Sequence, residues 1–201
     1  PHHPAAAAAR GGGGPTGRPG EMSLAHAGVL FLDELPEFQR PALEALRQPL
    51  EDRRVVVARA REILSYPANF IFVAAANPCP CGWRGHEKRE CLCTPQAVSH
   101  YISRLSGPLI DRIDLQVELS SVPPSLWAKA EPGPGTAQLR ARVLAARRVQ
   151  ARRLGREDFA LNSMLPAREL TKRCAVTPQA LELLERTAAK HAFSARVLER
   201  S

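Results

Sequence analysis

The 201-residue sequence has no apolar run long enough to cross a membrane. Its longest run, Phe70 to Ala76, falls far short of the roughly 20 residues that a spanning helix needs. A secretory signal is also missing, since the opening Pro1-His2-His3-Pro4-Ala5 has no basic stretch followed by an apolar one. Membrane and secreted classes are therefore excluded, and a cytoplasmic protein without membrane contact is expected. Lysine is scarce, because 24 of the 28 basic residues are Arg. No Gly-Lys-Ser or Gly-Lys-Thr follows the Gly11 to Gly14 run. Without that Lys and hydroxyl nothing there reaches the outer phosphates or magnesium, so a flexible loop is expected instead of a phosphate cradle. An initial Met is missing too, and the sequence stops at Ser201 within a helical pattern. It is expected to be an internal piece of a longer protein.

What is present is the balance of a globular domain, 44% apolar and 24% charged, in a chain long enough for a real core. The net charge of +8 suits an anionic partner such as nucleic acid or nucleotide. Four of the five Cys share one short window, which points to metal ligation in an intracellular protein and not to a disulfide framework. Cys174 stands apart and is expected to be buried packing.

Gly28 to Leu32 is a continuous apolar run ending in Asp33-Glu34, the pattern of a strand buried on both faces of a parallel sheet. Pro36 can open a helix whose apolar face is Phe38, Ala42, Leu43, Leu46 and Leu50, with Pro49 near its end. Arg53 to Tyr66 alternates loosely and predicts a hairpin. Asn69 to Ala76 reads as a second fully buried strand, ending in Asn77-Pro78. Pro95 to Leu105 predicts a short helix, and the alternation from Ile113 to Leu119 predicts a third strand. Residues 123–136, rich in Pro and Gly, form a linker between an α/β part (1–122, with a Cys-rich insertion over 79–93) and a helical part (137–201). Helices are expected there over Thr136–Leu154, Ala167–Arg173 and Pro178–His191, the last capped by Thr177, with another from Ser194.

Functional residues of parallel α/β sheets sit beyond the carboxyl ends of the strands. Asp33 and Glu34 there can divide nucleotide hydrolysis, one holding magnesium through water and the other polarising the attacking water. Acids at a helix N-terminus are the structural alternative. Asn77 can orient a water or contact a γ-phosphate, or it can simply form an Asn-Pro turn. Arg112 can project onto a neighbouring subunit's γ-phosphate, or it can pair with Asp114.

Taken in order, these features resemble the AAA+ ATPases. More narrowly, Ser23 to Phe38, Ala76 to Gly82 and Ser106 to Asp114 look like the magnesium-chelatase-like ATPases of the competence-protein (ComM/YifB) type. The resemblance covers nearly the whole chain. It implies a partial AAA+ parallel-sheet core without its Walker A strand, followed by an α-helical lid. Asp33 and Glu34 then correspond to Walker B, Asn77 to sensor 1 and Arg112 to the arginine finger. Arg196 in Phe193-Ser-Ala-Arg196 matches sensor 2, and Arg104 is a second candidate for a trans-acting Arg. ATP and Mg2+ are the implied cofactors, with Asp33, Asn77 and Arg196 contacting nucleotide and Asp33 holding magnesium. A homo-hexamer acting on DNA is the implied assembly. Metal insertion into a porphyrin and a non-enzymatic, zinc-containing nucleic-acid-binding module are the competing functions. The missing Walker A strand would lie between the strand ending at Asn77 and the one near Ile113, so both are expected to face a gap.

Cys79, Cys81, Cys91 and Cys93 can supply four thiolates to zinc, although the paired spacing is tighter than the common C-x2-C. Reduced thiols in a surface loop are the alternative, and His86 or His100 can replace one Cys. Seven Arg and no acid lie between Arg140 and Arg156, giving a solvated basic helix or a DNA-facing surface. Arg53, Arg54, Arg59 and Arg61 are a second nucleic-acid candidate, because related ATPases line their pore with hairpins.

Overall fold

The computed structural model describes residues 12–13, 18–58, 63–119, 132–155, 161–165, 169 and 176–191. They fall into two units, Pro1–Glu118 and Leu119–Ser201. Among the described residues no helix is long and apolar enough to cross a membrane.

In the first unit helix α1 (Glu21–Leu24) precedes strand β1 (Val29–Leu32). A 3-10 turn at Leu35–Glu37 leads into α2 (Arg40–Ala45) and α3 (Arg47–Asp52). Strands β2 (Arg54–Ala58) and β3 (Ile63–Pro67) form an antiparallel hairpin with Val55 opposite Tyr66 and Val57 opposite Leu64. Strand β4 (Ile71–Ala74) then pairs in parallel with β1, from Val29 opposite Ile71 to Leu32 opposite Ala74. Helices α4 (Pro95–Ser103) and α5 (Gly107–Ile110) follow. The result is mixed α/β with a small parallel sheet, compatible with part of an AAA+-like domain.

The core gathers where the periodicity places apolar side chains on one side. Leu30 and Leu32 of β1 are buried together with Met22, Leu43, Leu46, Val55 and Leu109. Phe38 and Leu50 pack against this cluster. The inward face expected of the segment after Pro36 is thus the one observed. Its continuity is not. Pro49 has no N–H to give and its ring crowds the carbonyl four residues back, at Ala45, which is the last residue of α2. Two short helices replace the expected single one, and Arg53 ends the second in a left-handed conformation (φ 56°).

Two further expectations are corrected. Strands β1 and β4 are covered on one face only, since Val29, Phe31, Ile71 and Val73 are all exposed to solvent. An unbroken apolar run matches burial on two faces, but the described elements pack against one. The second correction concerns Ile113 to Leu119, which forms no strand. Leu115, Val117 and Leu119 are 84%, 77% and 87% exposed. Alternation supplies strand propensity, yet a strand also needs a neighbour's backbone to pair with. Among the described residues no strand lies beside this segment.

In the second unit, helix α6 (Thr136–Leu154) and helix α7 (Pro178–His191) have the expected bounds. Gly155, at φ 65°, closes α6 in the left-handed conformation that glycine adopts without strain. Thr177 caps α7, its Oγ1 accepting the Ala180 N–H at 3.2 Å. The helix expected over Ala167–Arg173 is described only at Glu169, and Cys174 and the segment from Ser194 lie outside the described residues.

Candidate functional site

Parallel, in-register pairing of β1 with β4 brings their carboxyl ends to the same sheet edge. The ladder continues beyond the strands: Ala75 N–H donates to Leu32 O at 2.9 Å, and Leu35 N–H donates to Ala75 O at 2.9 Å. Asp33 and Glu34 are thereby placed beside the segment leading to Asn77, and all three are exposed. Glu34 adopts φ 51°, a conformation unfavourable for a residue with a Cβ. Its backbone N–H donates to Asp33 Oδ1 at 2.9 Å, so the turn is held by its own neighbour. Exposed carboxylates and an amide on one edge can coordinate a hydrated cation and orient water.

The arginines singled out in the sequence are placed differently. Arg112 is buried, with a side chain 7% exposed, and donates to Glu51 Oε2 and Pro108 O, each at 2.5 Å. Its salt bridge reaches Glu51, a partner distant in sequence, where local spacing offers Asp114 as the structural partner. Arg104 donates at 3.4 Å to Glu37 Oε2 and to the carbonyls of Glu37 and Phe38. It ties the end of α4 to the chain just after Glu34. Arg53 is half-buried and Arg54 exposed at the base of the hairpin. Arg59, Arg61 and Arg196 lie outside the described residues.

Cys79, Cys81, Cys91 and Cys93 converge, their Sγ atoms all within 4.8 Å of one another, and the group can hold a metal ion. Cys79 Sγ lies 3.4 Å from Cys81 Sγ and 3.6 Å from Cys91 Sγ. Gly82 and Gly85 turn the loop with φ of 77° and 80°. The Trp83 backbone N–H bonds to Cys81 Sγ and holds that thiol down at about 6, against the opposing effect of burial. Cys93 accepts the Cys81 backbone N–H, which favours its thiolate, but sulfur contact with Cys81 and burial outweigh this and push it up to about 12. Crowded sulfurs cannot all ionise without a cation among them. His86 Nδ1 accepts the Lys88 and Arg89 N–H groups at 3.1 Å.

Two contributors to the site escape a reading of the sequence. Tyr101 is buried on α4 and its hydroxyl takes the Asn77 backbone amide, while burial and the Glu37 charge push its phenol up. His26 Nδ1 accepts the Asn69 N–H at 3.1 Å and pins the start of β4 against the start of β1. The three-residue spacing of Val98 and Tyr101 is the available signal for the first; the second has none beyond a lone His.

Residues 1–126 match the family model for magnesium chelatase, subunit ChlI, and residues 133–201 match the model for that subunit's C-terminal region. The chain belongs to this magnesium-chelatase-like family. Its similarity runs to the ComM/YifB branch: it is 43% identical over its full length to the uncharacterized protein YifB of Escherichia coli (strain K12). It is 42% identical to the competence protein ComM of Haemophilus influenzae, also over its full length. An uncharacterized protein of Mycobacterium tuberculosis (strain ATCC 25618 / H37Rv) is 44% identical over 81% of the chain and 32% of its own length. The chain spans 38% of the length of YifB and of ComM.

Proposed function

We propose that the chain is part of an ATP-hydrolysing AAA+ motor of the ComM type, assembled as a homo-hexamer and acting on DNA in recombination or transformation. The observation that carries this reading is the shared edge of β1 and β4, where Asp33-Glu34 and Asn77 follow two paired parallel strands. Two adjacent exposed carboxylates beside an amide fit the magnesium and γ-phosphate end of a nucleotide. Bound Mg-ATP supplies the phosphoryl group and the charge that shifts during its transfer. Asp33 would hold the magnesium, Glu34 would polarise the attacking water and Asn77 would orient it. Arg112 would complete a neighbouring subunit's site once it exchanges Glu51 for phosphate, and Arg196 keeps the sensor 2 role that the family resemblance implies.

DNA is assigned to Arg53, Arg54, Arg59 and Arg61 of the hairpin, with the exposed arginines of α6 as a second surface. Metal insertion into a porphyrin is a second reading, favoured by the chelatase subunit that the family model describes. In the full-length protein Glu34→Gln should keep ATP binding and lower turnover by orders of magnitude. Turnover stimulated by DNA supports the motor, and turnover stimulated by a porphyrin supports the chelatase. Equal hydrolysis by the variant and the wild type would remove Glu34 from its role, and a wild type without hydrolysis would leave a binding module.

A further inference from the structure

The loop between β4 and α4 carries four cysteines that the ATPase reading does not use. Three observations give this loop a shape suited to one ion. The closest sulfur separations are 3.4 to 3.6 Å. Four sulfurs at about 2.3 Å from a single tetrahedral zinc would stand about 3.8 Å apart, so little movement separates the two arrangements. Each sulfur also meets a backbone N–H: Arg84 for Cys79, Trp83 for Cys81, Cys93 for Cys91 and Cys81 for Cys93. Such amides stabilise thiolate charge, and those of Trp83 and Arg84 lie between the turns at Gly82 and Gly85. Finally, all four sulfurs lie within 4.8 Å of one another, which suits a single four-coordinate ion.

The loop is also wired to the nucleotide edge at both ends. Cys79 is two residues beyond Asn77 and fully buried. Gly82 lies beside the Asn77 side chain, since an added Cβ would come 3.9 Å from Asn77 Cγ. One residue after Cys93, Thr94 caps α4 by accepting the Ala97 N–H at 3.2 Å. That helix carries Tyr101, which takes the Asn77 backbone amide, and leads to Arg104, which holds the carbonyls of Glu37 and Phe38.

We infer that Cys79, Cys81, Cys91 and Cys93 bind one zinc ion as a tetrathiolate, and that the ion, by closing the loop, positions Asn77 at the nucleotide edge. The positioning half rests on the ATPase reading; the zinc half does not. Asn77 lies beyond the last pair of the β1–β4 register, so its orientation is set by the loop and by α4. An open loop frees Gly82 and the start of α4 together and lets the amide drift. Misplacement of this kind costs about ten- to a hundredfold in rate and leaves nucleotide affinity nearly unchanged.

Full-length protein purified without added metal should contain about one zinc per chain by elemental analysis, and Cys91→Ser/Cys93→Ser should contain almost none. Cobalt added to metal-stripped wild type should give the visible bands of a tetrahedral thiolate site. No bound metal, iron in place of zinc, or zinc retained by the double variant would overturn the site. For positioning, the double variant should lower kcat with little change in ATP Kd, and adding Asn77→Ala should lower it no further. Independent, multiplicative losses would overturn the coupling. Should the double variant fail to fold, Cys93→His, which keeps a ligand atom, should retain both zinc and turnover; zinc retained with turnover lost would contradict positioning. A wild type that hydrolyses no ATP would sink the motor reading and the positioning with it, while the zinc content would still decide the site.

Discussion

The edge of the parallel pair and the layer directly beneath it are built on opposite terms. On the edge, Asp33, Glu34 and Asn77 are exposed, and one of them holds a positive φ. Beneath it, Leu30, Leu32, Leu43 and Leu46 are buried in one apolar cluster. The same pair of strands supports both. Polar groups on the edge gain little from one another, and Glu34 adds strain, so their presence is not explained by stability. The layer below has no chemistry to offer and accounts for the stability. Substitutions in the two regions should therefore separate turnover from folding.

Arg112 carries the largest expected effect. In the full-length protein Arg112→Ala should lower turnover by about a thousandfold or more. In mixed rings, activity should fall faster than the fraction of variant subunits. A strictly proportional loss, accompanied by a lowered melting temperature, would make the Glu51 pair purely structural and remove Arg112 from catalysis. Next comes Leu43→Ala in the same protein, which removes a side chain only 1% exposed. It should cost about 2–5 kcal/mol in denaturant unfolding while kcat per folded molecule stays near wild type. A kcat loss at unchanged stability would show that the layer does more than support.

Legibility in the sequence follows the same division. The carboxyl ends of β1 and β4 are readable because an apolar run stopping at Asp33-Glu34 or at Asn77 marks where a buried strand reaches water. The inward face of α2 and α3 is readable from spacings of three and four, and Pro49 carries a signal for their break that the apolar periodicity masks. The strand expected over Ile113–Leu119 fails because alternation reports a preference, whereas pairing depends on a second segment. Likewise a Cys-x-Cys pair announces sulfur without announcing the amides that meet it. Arg112 shows its charge in the sequence; that Glu51, 61 residues earlier, receives it is a property of the fold.

A smaller effect concerns the uncovered face. The 201-residue chain expressed alone should bind a hydrophobic dye such as ANS and melt broadly, because Val29, Phe31, Ile71 and Val73 are exposed along with Leu115, Val117 and Leu119. A sharp cooperative melt without dye binding, raised by Mg-ATP, would show that these side chains are covered in solution. The smallest expected change is on α6, in the second unit. Arg148→Ala with Arg152→Ala should reduce the salt dependence of DNA binding by about one to two in the slope of log K against log salt, with stability unchanged. An unaltered slope would confine DNA contact to the hairpin.

The edge and the layer beneath it can be set against each other at one residue. Glu34→Gly supplies the residue that φ 51° favours and removes the carboxylate assigned to water activation. Thermal melting and steady-state ATP hydrolysis of the full-length variant should move in opposite directions, with a midpoint at or above wild type and turnover down by orders of magnitude. A variant that melts earlier, or one that still hydrolyses ATP at the wild-type rate, would contradict the assignment of this edge to catalysis.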